Sequence, residues 1–260
     1  MKNRRFLKNS RRATGIALFC TIASPLAANA ASQWDVASGF DYYTGKYGAA
    51  SDTDVWNVPL SLRDQIDKFR VELTVPYLHV HGPGVFAGGV IVSGNNTVTT
   101  RSGLGDVNVG AAWVLHQDDQ SLPGIELAGS VKLPTASRAL GTQKFDYNIQ
   151  ANFNHSVSQS VMLFGSLGYQ WLSDFRGFHL EDGVTATGGV NLKVTDTTSV
   201  GVSANFRQAY YRTLDDQFSL TPYALWTFAP HWRLSGYGMV GFTNSSPDVG
   251  GGVRLIFFQT

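Results

Sequence analysis

Residues 124–133 read Gly-Ile-Glu-Leu-Ala-Gly-Ser-Val-Lys-Leu, and they decide the fold. Ile125, Leu127, Gly129, Val131 and Leu133 alternate with Glu126, Ala128, Ser130 and Lys132. Successive side chains of a strand point to opposite faces, so this segment has one greasy face and one wet face. The same period of two places Phe69, Val71, Leu73, Val75 and Tyr77 against Lys68, Arg70, Glu72 and Thr74. It returns from Val184 to Val194 against Thr185, Thr187, Asn191 and Lys193, and in Val200, Val202, Ala204 and Phe206 against Ser199, Ser203, Asn205 and Arg207. Helical spacing is hard to find.

Working outward, strands are expected near 33–45, 52–62, 67–80, 103–116, 124–133, 145–155, 159–172, 182–194, 198–211, 215–228, 231–243 and 247–258. That is about twelve, an even number as bacterial barrels require. The connections at 63–67, 116–123, 157–159, 195–197 and 229–230 are mostly short, whereas 81–102 and 134–144 are long. Short turns on the periplasmic side and long loops outside are the asymmetry of an outer-membrane barrel with a periplasmic N-terminus. The 81–102 loop is a candidate to fold inward as a constriction. Trp34, Tyr42, Tyr77, Trp113, Tyr169, Trp171, Trp226 and Trp232 fall near strand ends on the apolar face, where an interfacial girdle belongs. A soluble β-sandwich also alternates, but its strands run about 5–6 residues and most of these are longer. The expected fold is therefore all-β, a transmembrane antiparallel up-and-down barrel.

The first thirty residues have the form of a cleavable export signal. Lys2, Arg4, Arg5, Lys8, Arg11 and Arg12 precede the apolar run Ala13–Ala23, and Ala28-Asn29-Ala30 offers the cleavage site. The run is too short for a spanning helix of about 20 residues. Cys20 raises a lipoprotein reading, against which Phe19 stands where a small residue is needed. Residues 1–30 are read as signal peptide and 31–260 as the barrel, with no folded plug ahead of the first strand. Cleavage removes the single cysteine, and with it any disulfide or thiolate chemistry. The charge balance of 20 basic against 19 acidic residues gives no sign of nucleic-acid binding. Only 15% of residues are charged while 28 are glycine, a mixture that fits neither a disordered chain nor an ordinary mixed enzyme.

On the wet faces, Arg70, Glu72, Asp106, Glu126, Lys132, Asp146, Lys193, Arg207, Arg233 and Arg254 are expected to look into the lumen with Asn108, Asn148, Gln150, Asn152 and Asn205. They either form a polar channel and set its selectivity or pair across the lumen and plug it. The foremost lumen and selectivity candidates are Arg70, Glu72, Asp106, Asn108, Glu126, Lys132, Asp146, Arg207 and Arg233. Asp106 follows Gly103-Leu104-Gly105 and points inward if Val107 faces lipid, with turn stabilisation as its alternative role. Tyr210, Tyr211, Phe175 and Phe178 lie near external strand ends, suited to an aromatic solute or to the girdle. Enzymatic readings find little support. Asp52-Thr53-Asp54 and His179-Leu180-Glu181 lie near the outer rim, His155-Ser156 are adjacent and so on opposite faces, and His79 with His81 lacks a third metal ligand. No catalytic, cofactor-binding or metal residue is assigned, and no cofactor is expected.

Gly103-Leu104-Gly105-Asp106-Val107 leading into Asn108–Leu115 resembles the opening motif of the outer-membrane barrel family of the phenol-degradation meta pathway. Lys132-Leu133-Pro134-Thr135, then Gly141 and Asp146, extend the resemblance, with Ala136 where the family commonly has glycine. The resemblance implies an outer-membrane barrel with a transport role and assigns no binding residue. The function expected is passive uptake of small aromatic or hydrophobic molecules. The alternatives are a closed structural or adhesive barrel and, behind it, a barrel hydrolase. Expected partners are membrane lipids and lipopolysaccharide, a small-molecule solute and the barrel assembly machinery. Val253, Leu255, Phe257 and Phe258 resemble the aromatic-ended last strand that machinery recognises, although the chain runs on to Gln259-Thr260.

Overall fold

The computed structural model describes residues 33–259 apart from 88–89, 94–97, 120, 175–178 and 213. The expected signal peptide, residues 1–30, lies outside the described residues. Fifteen strands follow in order: β1 (Gln33–Gly45), β2 (Thr53–Ile66), β3 (Phe69–Gly82), β4 (Gly84–Ala87), β5 (Val90–Ser93), β6 (Thr99–Leu104), β7 (Val107–His116), β8 (Gly124–Leu133), β9 (Asp146–Ser156), β10 (Val161–Trp171), β11 (Gly183–Lys193), β12 (Thr198–Arg207), β13 (Gln217–Ala229), β14 (Trp232–Gly241) and β15 (Val249–Gln259). Sequence neighbours pair antiparallel around the sheet, and β15 returns to β1, from Trp34 opposite Gln259 to Thr44 opposite Val249. Closure leaves no open edge, the condition for crossing lipid with strands.

β6 and β7 serve as one barrel strand. β6 pairs with the outer part of β3, from Tyr77 to Gly82, and β7 with the inner part, from Phe69 to Thr74. Counted so, and with the β4–β5 hairpin set aside, twelve strands surround the lumen. The expected continuous strand at 103–116 is thus broken at Gly105-Asp106. Gly103 takes a φ of +150°, which glycine adopts most readily, and the Gly105 amide donates to Pro76 O at 2.8 Å. The amide of Val107 leaves the ladder and donates to Thr135 Oγ1 at 2.8 Å.

Three further boundaries differ from the sequence reading. β2 runs to Ile66, so the turn shrinks to Asp67-Lys68, with Asp67 in the left-handed region at φ +54°. The 81–102 connection is part strand, because β3 extends to Gly82 and pairs with β6, and β4 pairs with β5. β12 ends at Arg207, which frees Tyr210 to turn into the outer mouth, where it is buried.

The outward face is apolar and bare: Leu60 is 54%, Trp113 58% and Leu167 57% exposed, with dozens of similar neighbours. So large a band of uncovered hydrophobic surface is untenable in water and is what lipid covers, which excludes the sandwich. Trp34, Trp113, Trp226 and Trp232 lie at the end with the short turns, and Tyr42, Tyr169 and Trp171 at the other. Trp34 and Trp232 both pack on Phe257, and Tyr169 meets Trp171 edge-on at 5.0 Å. These are the two interfacial girdles. The connections 67–68, 117–123, 157–160, 194–197 and 230–231 mark the periplasmic end, and the longer ones mark the outer end.

Candidate functional site: the lumen and its outer mouth

Alternation that turns the apolar residues outward turns polar residues inward, and the interior is built from them. A cavity of about 240 Å³ lies in the barrel, among Arg70, Glu72, Asn108, Ser130, Lys132, Asp146, Asn148, Gln150, Asn205 and Arg207. Among the described residues most inward charges fall into three groups, with Arg207 and Arg233 apart from them.

The first group spans β1, β2, β3, β8 and β9. Arg70 presents two nitrogens to Glu126, each at 2.7 Å, and Asn152 Nδ2 donates to the same carboxylate at 2.7 Å. Glu72 lies 3.6 Å from Arg63, which also reaches Asp35 at 3.8 Å. The second group centres on Lys132, whose Nζ contacts Asp106 Oδ2 at 3.0 Å, Asp146 Oδ2 at 3.0 Å and Thr142 Oγ1 at 2.5 Å. All three charged side chains are less than a tenth exposed. Asn108 Nδ2 donates to the Asp106 carbonyl at 3.3 Å. The third centres on Asp41, fully buried, which accepts from Arg254 Nη2 at 2.8 Å, Asn57 Nδ2 at 2.9 Å and Tyr237 OH at 2.7 Å. Tyr43 and Tyr237 join their hydroxyls across the same group.

Arg233 lies at the periplasmic end, over the Phe258 ring at 5.0 Å and with Nε donating to Thr227 Oγ1 at 3.3 Å. Arg207 lies toward the outer mouth, buried, with its guanidinium 5.1 Å from the centre of the Tyr210 ring. Lys193, expected in the lumen, instead pairs with Asp196 at 2.7 Å beside the exposed turn that ends its strand.

Asp106 stands at the break between β6 and β7. It points inward and, through Oδ1, accepts the Ala136 amide at 2.9 Å, so it also holds the loop 134–145. That loop folds into the mouth. Ala136 and Leu140 are buried against Leu78, Val80, Val55 and Tyr47, a small apolar seat inside an otherwise polar lumen. Gln143 Nε2 donates to the Ala136 carbonyl, and the amides of Leu140 and Gly141 both donate to Ser137 O at 3.0 Å. Among the described residues the loop that enters the mouth is 134–145; the side chains of 84–97, on which the reading of 81–102 as a constriction rests, lie outside them. Burial pushes the Tyr47 and Tyr210 phenols well above their ordinary value, so both remain neutral hydroxyls over the accessible pH range.

The residues weighed for enzymatic chemistry do not converge. His155 Nδ1 meets Asp118 Oδ1 at 2.9 Å, and Ser156 bonds the same carboxylate, its amide at 2.6 Å, so Asp118 stands between the two. His79 and His81 face outward and bond Ser102 and Thr100. His179 pairs with Asp174, Glu181 with Arg212, and Asp54 accepts from Tyr42. Among the described residues no group of three metal-ligating side chains occurs. Of the proposed aromatic quartet, Tyr210 is spent on Arg207, while Phe175 and Phe178 lie outside the described residues. The sequence reading missed Asp35, Asp41, Tyr43, Arg63 and Tyr237. The alternation of Trp34, Val36, Phe40 and Tyr42 was the available signal, since it turns Asp35, Asp41 and Tyr43 inward.

Comparison with solved structures gives the same architecture at low identity. The COG4313 outer membrane channel from Pseudomonas putida F1 aligns with TM-score 0.67 and 14% identity over 91% of this chain and 98% of that one. The NanC porin aligns with TM-score 0.54 and 11% identity over 87% and 100%. The translocator domain of the autotransporter NalP from Neisseria meningitidis aligns with TM-score 0.56 and 10% identity over 91% and 90%. At such identities the likeness shows the fold alone. A search of curated proteins found no match. The family model for the MetA-pathway of phenol degradation matches residues 35–258, nearly the whole described barrel. The closed twelve-stranded barrel, its lipid-facing belt and this match together make the chain an outer-membrane member of the MetA-pathway of phenol degradation family.

Proposed function

We propose that this barrel is a passive outer-membrane channel for small aromatic or hydrophobic solutes, narrowed at its outer mouth by the loop 134–145. The observation that carries the reading is the cavity of about 240 Å³, walled by polar and apolar groups together, inside a closed barrel. Engineered cavities of about 150 Å³ already take up benzene, so this space suits a single substituted ring. Small apolar patches on its wall, Gly110, Ala112, Ala128 and Met239, give such a ring a surface to pass over. The predicted selectivity residues contribute unequally. Arg70, Glu72 and Glu126 are engaged with protein partners and shape the walls; Lys132, Asp106 and Asp146 hold the loop; Asn108, Arg207 and Arg233 present polar groups to the passage. No catalytic role is assigned to the chain. Lipopolysaccharide and lipid are the partners of the apolar belt, and the alternating β15 is the segment offered to the barrel assembly machinery.

A second reading, a closed structural barrel, draws on the paired lumen charges and the inserted loop. Uptake decides between them. Labelled phenol should enter porin-depleted Gram-negative cells faster when the folded protein is present in their outer membrane. Equal uptake with and without folded protein would reject the channel in favour of the closed barrel.

A further inference from the structure

Among the described residues, the cations that line the cavity are paired with one exception. Arg70, Lys132 and Arg254 each contact a carboxylate at 3.0 Å or less. Arg207, on the same wet surface, has no carboxylate within ion-pair distance among the described residues, although it is 6% exposed. Its Nη1 is buried without a hydrogen-bond partner. A buried guanidinium nitrogen left in this condition is costly, because its hydrogens forgo water and receive nothing in return. Asp146 acts on Arg207 through space, but its close contact is with Lys132 at 3.0 Å. The Tyr210 ring lies against the guanidinium, its centre 5.1 Å from Cζ, and Nη1 is left for another partner. A planar fork held this way matches a carboxylate.

A second orphan group lines the same cavity. Gln170 Oε1, on β10, is buried and accepts no hydrogen bond among the described residues. β11 separates β10 from β12, with Thr185 opposite both Gly168 and Arg207, so Gln170 and Arg207 sit two strands apart. Two strand spacings across and two residues along make that about 12 Å between the backbones, from which both side chains reach inward toward a ring lying between them.

We infer that Arg207 is the anchor of a solute-binding station for small aromatic carboxylates, with Gln170 accepting from a donor at the far side of the ring. This rests on the channel reading and narrows it: the preferred solute carries an anionic head as well as an apolar body.

The test uses the refolded protein in zwitterionic detergent, titrated calorimetrically with benzoate, 4-hydroxybenzoate, benzyl alcohol and benzylamine. The same compounds are then applied as blockers to the protein in planar bilayers. The carboxylates should bind saturably, about tenfold or more tighter than the neutral and cationic analogues, the loss expected when one charge-assisted partner is removed. Arg207→Gln should abolish that preference, and Arg207→Lys should retain part of it. 4-Hydroxybenzoate should exceed benzoate, and Gln170→Leu should equalise the two. Equal binding of all four compounds to the wild-type protein overturns the proposal without need of a variant. So does an Arg207→Gln protein that keeps the preference, which would mean that Arg207 only balances the Lys132 group across the lumen. Carboxylate preference without any conductance would keep the station and reject the channel, whereas conductance without preference would do the reverse.

Discussion

Replacing Lys132 with methionine should open the outer mouth. The ammonium is the only cation within contact distance of both Asp106 and Asp146 among the described residues, and it also holds Thr142 of the inserted loop. Lys132→Met keeps the aliphatic bulk but leaves two buried carboxylates facing each other. Breaking a buried pair by removing one partner costs about 3–5 kcal/mol. What remains to hold the loop is the seat of Leu140, worth about 1.5–3 kcal/mol for full burial of such a side chain, with the Ala136 amide on Asp106 and Thr135 on the Val107 amide. The electrostatic loss is of the same size, so the loop should leave the mouth more often while the hydrogen-bonded barrel persists. Two assays read this. Trypsin should cut after Arg138 faster in the variant, because the turn closed by the Leu140 and Gly141 amides onto Ser137 O must open for cleavage. Single-channel conductance should rise. Adding Asp106→Asn and Asp146→Asn to Lys132→Met removes the uncompensated charge and should restore most of the protection. A folded Lys132→Met protein with wild-type conductance and wild-type trypsin resistance would refute the reasoning.

Leu140→Ala attacks the same loop from its apolar side; a loss of about 2 kcal/mol is expected, seen as faster cleavage after Arg138 with unchanged barrel melting. Asp41→Ala strands Arg254, which is partly exposed, so destabilisation of about 3 kcal/mol, the low end for a broken buried pair, should appear in denaturant unfolding followed by tryptophan fluorescence; a shift under about 0.5 kcal/mol would show that the third charge group does not brace the barrel. At the periplasmic end, burial raises the Asp118 carboxyl, but the hydrogen bonds from Ser156 and His155 outweigh it and hold the group below its ordinary 3.8. A depressed carboxyl stabilises fully above its unfolded value and loses that contribution as pH falls through the lower folded one. Asp118→Asn should therefore melt below wild type at pH 6, and the gap should close on acidification below pH 3.8; a gap constant with pH would contradict the assignment.

Much of the barrel could be read from period alone, because a lipid-facing belt and a polar lumen force strict alternation on every spanning strand. Gly124 to Leu133 showed it in ten residues, and the structure keeps those bounds. The break between Leu104 and Val107 was less legible. Gly103-Leu104-Gly105 looked like the start of a strand, whereas its chemistry is that of a hand-over between ladders, decided by Thr135 in a distant loop. The lumen charges were readable as inward residues but not as pairs. Which carboxylate meets Arg70 or Lys132 depends on register and on neighbours several strands away, and Asp41 with Arg254 joins the two ends of the chain. The inserted loop was hidden for the same reason. Leu140 stands among polar residues in sequence and finds Leu78 and Val80 only once the barrel has closed.

The most direct test of the whole account is single-channel recording of the refolded mature chain in a planar bilayer. A closed barrel with an open lumen narrowed by 134–145 predicts discrete, small conductance steps that grow in Lys132→Met. A folded protein that leaves the bilayer electrically silent, in wild type and variant alike, would contradict the channel and leave the closed structural barrel in its place.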